Sequence, residues 1–415
     1  MNKKTTIDGP IYDARQLGTP KMLLLGLQHM FAMFGATVLV PALTGLDVAT
    51  ALLFAGIGTL LFHLLTGGKV PAFLGSSFAF IGGYNAIRTI GAAADGSSIY
   101  DNALLPYACF GVLIAGLMYV VLSVLFKTFG VKKVMRFFPP IVTGPIIIAI
   151  GLNLSSSAIN NCTGNWWIAI AAILIIVAAN IWGKGMIKII PILLGVIGSY
   201  LLAVIFDADV RANLVANVSA AKWFALPIKM EQTVFGLFAS GNVDTHMLLT
   251  AVITIVPLSL ATMVEHIGDV SAISSTCNRN YIENPGLHRT LMGDGLATTL
   301  AALFGAPANT TYGENTGVLA LSKIYDPRVI RIAAILAMCF SFSPKFAAII
   351  SSMPGGTIGG VSLVLYGMIS AVGVRNVVEN QVDFTKSRNV LIAALILVLS
   401  IGISYSKAGA LTFGS

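Results

Sequence analysis

Eleven long apolar runs, the first at Leu23–Thr44 and the last at Val390–Ser404, leave this chain few options. Many approach the roughly 20 residues that a helix needs to cross a hydrocarbon core. Of 415 residues, 56% are hydrophobic and 10% charged, where a soluble domain carries about 25% charged residues. Mean hydropathy is +0.86. The pattern predicts an all-α polytopic membrane protein. The N-terminal "MNKKTTIDGPIYDARQLG" has neither an apolar centre nor a cleavage site, so it does not read as a signal peptide. Cys109, Cys162, Cys277 and Cys339 are too scattered for a metal or disulfide framework and read as packing residues.

Two further segments, Lys69–Ile87 and Gly305–Lys323, are rich in Gly, Pro, Ser and Thr. Read as interrupted spans, they bring the count to thirteen and sort the cations. With a cytoplasmic N-terminus, 19 Lys and Arg fall on the cytoplasmic side. The other side holds 6, namely Arg88, Arg211, Lys222, Lys229, Lys345 and Lys407. That asymmetry is what the positive-inside rule demands. It also accounts for the net charge of +8 without nucleic acid.

Seven spans end near Asp207, and a polar linker that lies along the outer surface follows. A second half that starts from the opposite side makes any repeat an inverted one. The expected division is residues 1–206, a linker at 207–247, and residues 248–415. Traces of repetition agree: "LQHMFAMFGA" with "VEHIGDVSA", "VPAFLGSSFAF" with "APANTTYGEN", and "FFPPIVTGPIII" with "SMPGGTIGGVSL" keep a common order. Paired interrupted spans mark a transporter's binding site.

Glu265, Asp269, Asp294 and Glu314 fall within or at the ends of spans. A charge at mid-membrane costs about 2.5–3.5 kcal/mol on insertion scales, so such residues face cavities and carry function. Asp294, in "MGDGL", reads instead as a capping or paired acid near a helix start. Glu314, in "NTTYGENTGV", has no Lys or Arg within seven residues. Broken backbone before it predicts a half-helix whose free N–H groups and positive dipole end face a cavity. Gly313 allows close approach to that main chain. An acceptor among donors suits a ligand with both kinds of group.

Glu265 and Asp269 share a helix face at i, i+4. Two carboxylates in a low-dielectric site do not both ionise cheaply, so the pair suits proton handling. A metal pair is the rival reading, but no His completes a ligand set and His266 points elsewhere. Phe78 offers a flat aromatic for a planar heterocycle, against a plain packing role. Gly35 and Ala36 are small enough to let segments close around a ligand. No HExxH, GxSxG or Walker A motif is present, which argues against an enzyme, an ATP-driven pump or a cofactor. The spans lack the continuous polar lining of a channel.

From about Leu23 to Ala408 the sequence resembles the nucleobase–ascorbate transporter family, and within it the bacterial uracil permeases. The carrying stretches are "LQHMFAMFGATVLVP", "KVPAFLGSSFAFI", "VEHIGD", "PGLHRTLMGDGLATT", "NTTYGENTGVLALSK" and "GGVSLVLYG". The resemblance implies fourteen spans in two inverted sevens, divided into core and gate domains, and a homodimer. It implies proton-coupled uracil import across the bacterial inner membrane, with a xanthine or urate carrier as the alternative and an anion exchanger of the same architecture as a remoter one. Substrate contacts would come from Glu265, Glu314, Gly313, Phe78, Tyr312, Tyr366 and Ala36. Glu265 and Asp269 would handle the proton, with His29 and Asn315 in support. Asp269 departs from the family pattern, since some uracil permeases have histidine there.

A seven-span first half beside six further spans leads us to expect a fourteenth span beyond Ser415 and a cytoplasmic C-terminus. A reporter fused at the natural C-terminus should read cytoplasmic, and a periplasmic signal would overturn this topology.

Overall fold

The computed structural model describes residues 9–92, 98–134, 136, 139–241 and 243–405. Lys3, Lys4 and Lys407 of the charge tally lie outside the described residues, as do residues 406–415. The chain opens with helices α1 (Thr19–Thr44) and α2 (Val48–Leu65). Strand β1 (Leu74–Ser76) then passes through a 3-10 turn at Phe78–Phe80 into the short helix α3 (Ile81–Arg88). A hairpin, β2 (Thr89–Ala92) and β3 (Ser98–Tyr100), leads to α4 (Leu105–Phe129). Helices α5 (Pro140–Cys162), α6 (Trp166–Ile181) and α7 (Pro191–Phe206) follow.

The linker begins with a change of direction. Helix α8 (Ala208–Ala220) is turned by 108° from α7. Lys229 in the linker pairs with Asp47 at 2.8 Å, and Asp47 also caps α2 through the Thr50 N–H. The second half begins with α9 (Thr245–Ile255) and α10 (Leu258–Thr276), which together form one apolar span. Helix α11 (Leu287–Leu303), strand β4 (Asn309–Thr311) and helix α12 (Gly313–Ser322) come next. Helix α13 (Pro327–Ser341) bends by 86° into α14 (Pro344–Ser351), a second short helix that the sequence reading did not foresee. The last helices are α15 (Gly355–Glu379) and α16 (Ser387–Tyr405).

Among the described residues, seven helices are long and apolar enough to cross a membrane, and two bent pairs add to them. With α6, α11 and the two strand–helix segments, each expected span has a counterpart. The packing repeats when the halves are exchanged. Helix α2 lies on α13 as α11 lies on α4; α1 lies on α13 as α9 lies on α4; α15 packs on α6 as α16 packs on α5. Helices α1–α4 and α9–α13 form one body, and α5–α7 with α15 and α16 form the other.

The strands explain how two helices can stop in mid-membrane. β1 and β4 pair antiparallel, with Leu74 opposite Thr311 and Ser76 opposite Asn309. Pairing leaves each strand an outer edge, which hydrocarbon cannot satisfy. Threonines on the packed helices do so instead. Thr59 Oγ1 on α2 accepts from the Leu74 N–H at 2.9 Å. Thr298 Oγ1 on α11 accepts from the Asn309 N–H at 3.2 Å and donates to the Asn309 carbonyl at 2.9 Å. Both threonines are fully buried.

Replacing Thr298 by Val keeps the shape and orphans a buried strand N–H and C=O, so it should destabilise by about 1–3 kcal/mol. Thermal unfolding in detergent should give a lower apparent Tm for Thr298→Val and recovery for Thr298→Ser. A Val variant as stable as the wild type would remove the clamp from the account.

Candidate functional site

Helix α12 starts at Gly313, and its N-cap residue Tyr312 contributes no side-chain hydrogen bond to the first turn. Tyr312 thus satisfies none of the first-turn N–H groups, and the Glu314 N–H meets its own carboxylate. A Cβ built on Gly313 would meet nothing within 4 Å, so bare main chain faces open space there. That space is a cavity of about 720 Å³ between the two bodies. Phe78, Glu265, Asp269, Tyr312, Gly313 and Glu314 all line it.

Each of these residues has a fixed place. Tyr312 Oη donates to the Ser76 carbonyl at 2.7 Å, spanning from β4 back to the end of β1. Thr37 Oγ1 on α1 donates to the same hydroxyl at 3.3 Å. Asp269 Oδ2 accepts from Thr311 Oγ1 at 2.7 Å, which ties α10 to β4. Glu265 stands one turn earlier on α10, half-buried and facing the cavity. Among the described residues no Lys or Arg forms an ion pair with Glu265, Asp269 or Glu314. Three acids with no ion-pair partner among the described residues make the site an acceptor of hydrogen bonds and protons.

His29 and Asn315 lie behind the lining. Asn315 Nδ2 donates to the His29 carbonyl at 3.0 Å and sits 3.2 Å from His29 Nδ1, which anchors the start of α12 to α1. Both residues are 1% exposed. They hold the site rather than face it.

Three expectations need correction. Ala36 is 1% exposed and packs in the apolar interior of α1, away from the cavity. The small residue that brings the bodies together is its neighbour Gly35, where a Cβ would come within 3.1 Å of Ile192 and Leu193 on α7. Tyr366 is also 1% exposed and lies in that apolar cluster. Its helix α15 presents Leu365, Met368, Ile369 and Val372 to the cavity instead. Asp294 does not cap a helix start, because α11 begins at Leu287 and buries Asp294 in its interior. Its Oδ2 lies 3.0 Å from His266 Nδ1, and both side chains are 0% exposed. Beside this pair, Tyr119 Oη donates to Thr262 Oγ1.

Sequence reasoning missed Thr310, Asn180 and Lys188, all of which line the cavity. Thr310 Oγ1 has no hydrogen-bond partner among the described residues. Lys188 lies in the short helix Met186–Ile189 before α7, at the end of the cavity where Gly185 and Leu321 also stand. Its sequence signal was only that of a loop cation. The fold brings that loop to the mouth.

Comparison with known proteins agrees with this architecture. A model of the Permease family matches residues 20–409. The uracil permease of Bacillus caldolyticus is 39% identical over 403 residues, which span 95% of this chain and 88% of the relative. The uracil permease of Escherichia coli (strain K12) is 37% identical over 394 residues, 92% of this chain and 84% of the relative. A putative pyrimidine permease of the same strain, RutG, is 35% identical over 420 residues, 100% of this chain and 90% of the relative. Of solved structures, the transmembrane domain of a cyanobacterium bicarbonate transporter, BicA, superposes with a TM-score of 0.64 at 15% identity, covering 95% of this chain and 97% of that one. SLC26A9 superposes with a TM-score of 0.61 at 11% identity, covering 95% and 63%. At such identities these two speak for the fold alone, which is one of core and gate bodies. This multi-pass integral membrane protein belongs to the Permease family, as a nucleobase–ascorbate transporter.

Proposed function

We propose that the chain is a transporter, not an enzyme, and imports uracil together with protons. The observation that carries this is the joining of Glu314, Glu265 and the uncapped first turn of α12 on one cavity that holds no ion pair to these acids. Uracil offers two N–H donors and two carbonyl acceptors. Carboxylates at Glu314 and Glu265 suit the donors, and the amides around Gly313 suit a carbonyl. Phe78 supplies an aromatic face for the planar ring, and Tyr312 closes the strand side. The relatives named as uracil permeases support this choice. A volume of about 720 Å³ also leaves room for a bicyclic base, which favours xanthine or urate as the second reading. Three acids in the cavity tell against an anion exchanger.

In this reading Glu265 is the coupling residue, with Asp269 beside it. Protonated Glu265 crosses with substrate without carrying a charge into the hydrophobic barrier, and the ionised empty carrier resists reorientation because a desolvated charge is costly. With the N-terminus in the cytoplasm of a bacterial cell, the Lys188 end of the cavity is the inner mouth, and the conformation faces inward. The functional unit is a homodimer in the inner membrane.

Labelled uracil should enter proteoliposomes, with xanthine as the competitor that distinguishes the two bases. Glu314→Gln should weaken uracil binding by at least about 1.5 kcal/mol, the scale of a hydrogen bond to a charged group. Calorimetry measures this, and an unchanged Kd in a folded variant removes Glu314 from the site. Glu265→Gln, fixed in the neutral form, should lose accumulation driven by an inward proton gradient while retaining some exchange. If that variant still concentrates uracil, Glu265 is not the coupling residue.

A further inference from the structure

A second cavity, of about 370 Å³, runs along α7 from Leu193 to Val204. Pro191 and Ile192, at the start of α7, line the first cavity, whereas Tyr200, Leu201 and Val204, near its end, line the second. The second runs along the seam between the two bodies. Phe34 and Val38 of α1 and Phe346 and Ile350 of α14 form its other walls. Every lining side chain is apolar except Tyr200, and the hydroxyl of Tyr200 is spent on the Ile349 carbonyl at 3.0 Å. Its volume is within the roughly 300–1,000 Å³ of ligand pockets. Water gains no partners in such a slot.

The slot also has a chemically different mouth. A neighbouring hollow shares Phe340, Phe346 and Ile349 with it and adds Trp223, Ser343 and Lys345. Lys345 Nζ lies 4.9 Å from the centre of the Trp223 ring and donates to the Val218 carbonyl at 2.7 Å. That leaves two of its three N–H donors for another acceptor. Helices α8 and α14, which turn sharply from α7 and α13, pack together beside this mouth. Exposed Trp223 and Phe224, at 73% and 80%, follow α8 as residues of a membrane interface would. An apolar slot at membrane depth opening on a cation and an indole matches one class of molecule.

We propose that this seam is a binding site for a single phospholipid, its acyl chain in the slot and its phosphate on Lys345. Detergents and free fatty acids share the chain but not the phosphodiester. Because the slot is walled by α1 and α14 on one side and α7 on the other, its occupant touches both bodies at once.

Native mass spectrometry of the purified chain, titrated with phosphatidylglycerol and phosphatidylcholine, tests the site. Leu214→Trp adds bulk to the slot from the surface helix α8. Leu174→Trp makes the same kind of change on a lipid-facing part of α6 and serves as the control. Monodispersity and apparent Tm establish that each variant is folded. The wild type and the control should retain one tightly held phospholipid, and Leu214→Trp should bind it at least about tenfold more weakly. Lys345→Gln should abolish the preference for phosphatidylglycerol. Equal retention by Leu214→Trp and the control means annular lipid only, and a wild type that retains none means an unfilled slot. Either result overturns the proposal. An unchanged head-group preference in Lys345→Gln overturns the assignment of the head group to Lys345.

Discussion

Hydrocarbon supplies no hydrogen-bond partners, and the whole architecture answers to that fact. A helix that ends inside a membrane must hand its backbone to something else. Here the something else is the other half of the chain. β1 and β4 complete one another, and Thr59 and Thr298 finish the outer edges. The interrupted segments can therefore exist only as a pair. Their pairing places Phe78 and the start of α12 on one cavity.

The charge distribution follows from the same arrangement. Three carboxylates in one cavity would be expensive if they were sealed off, so they face the open space. Asp269 is held by Thr311, and the first turn of α12 is held by His29 through Asn315. The buried acid that does not reach the cavity, Asp294, is placed against His266 instead. Helix α10 thus carries a cavity-facing pair and, on another face, a partner for α11.

Much of this was legible in the chain. Gly, Pro and Thr in Lys69–Ile87 and Gly305–Lys323 gave away the broken spans, because such residues are misplaced in an ordinary apolar helix. Glu314 stood out for lack of a nearby cation. What sequence could not reveal was the rotation and tilt of packed helices. Ala36 and Tyr366 have suitable chemistry but point into packing, and their neighbours Gly35 and Leu365 meet the seam or the cavity instead. Asp294 looked like a cap because a glycine stood on each side of it, a pattern that in α11 belongs to the middle of the helix. Lys188 reads as one more loop cation until tertiary folding brings it to the mouth.

The pairing of Leu74 with Thr311 also sets a timetable. Ribosomes add about 5–20 residues per second, so the 237 positions from Leu74 to Thr311 take roughly 12–50 s to make. For that interval β1 has emerged and β4 does not exist. Its strand groups must wait where water or the insertion machinery can satisfy them, since a lipid-facing open edge is not tolerated. Completion of the first seven spans is thus not completion of a folded unit. The fold closes late in synthesis, when the fourth strand arrives to meet the first.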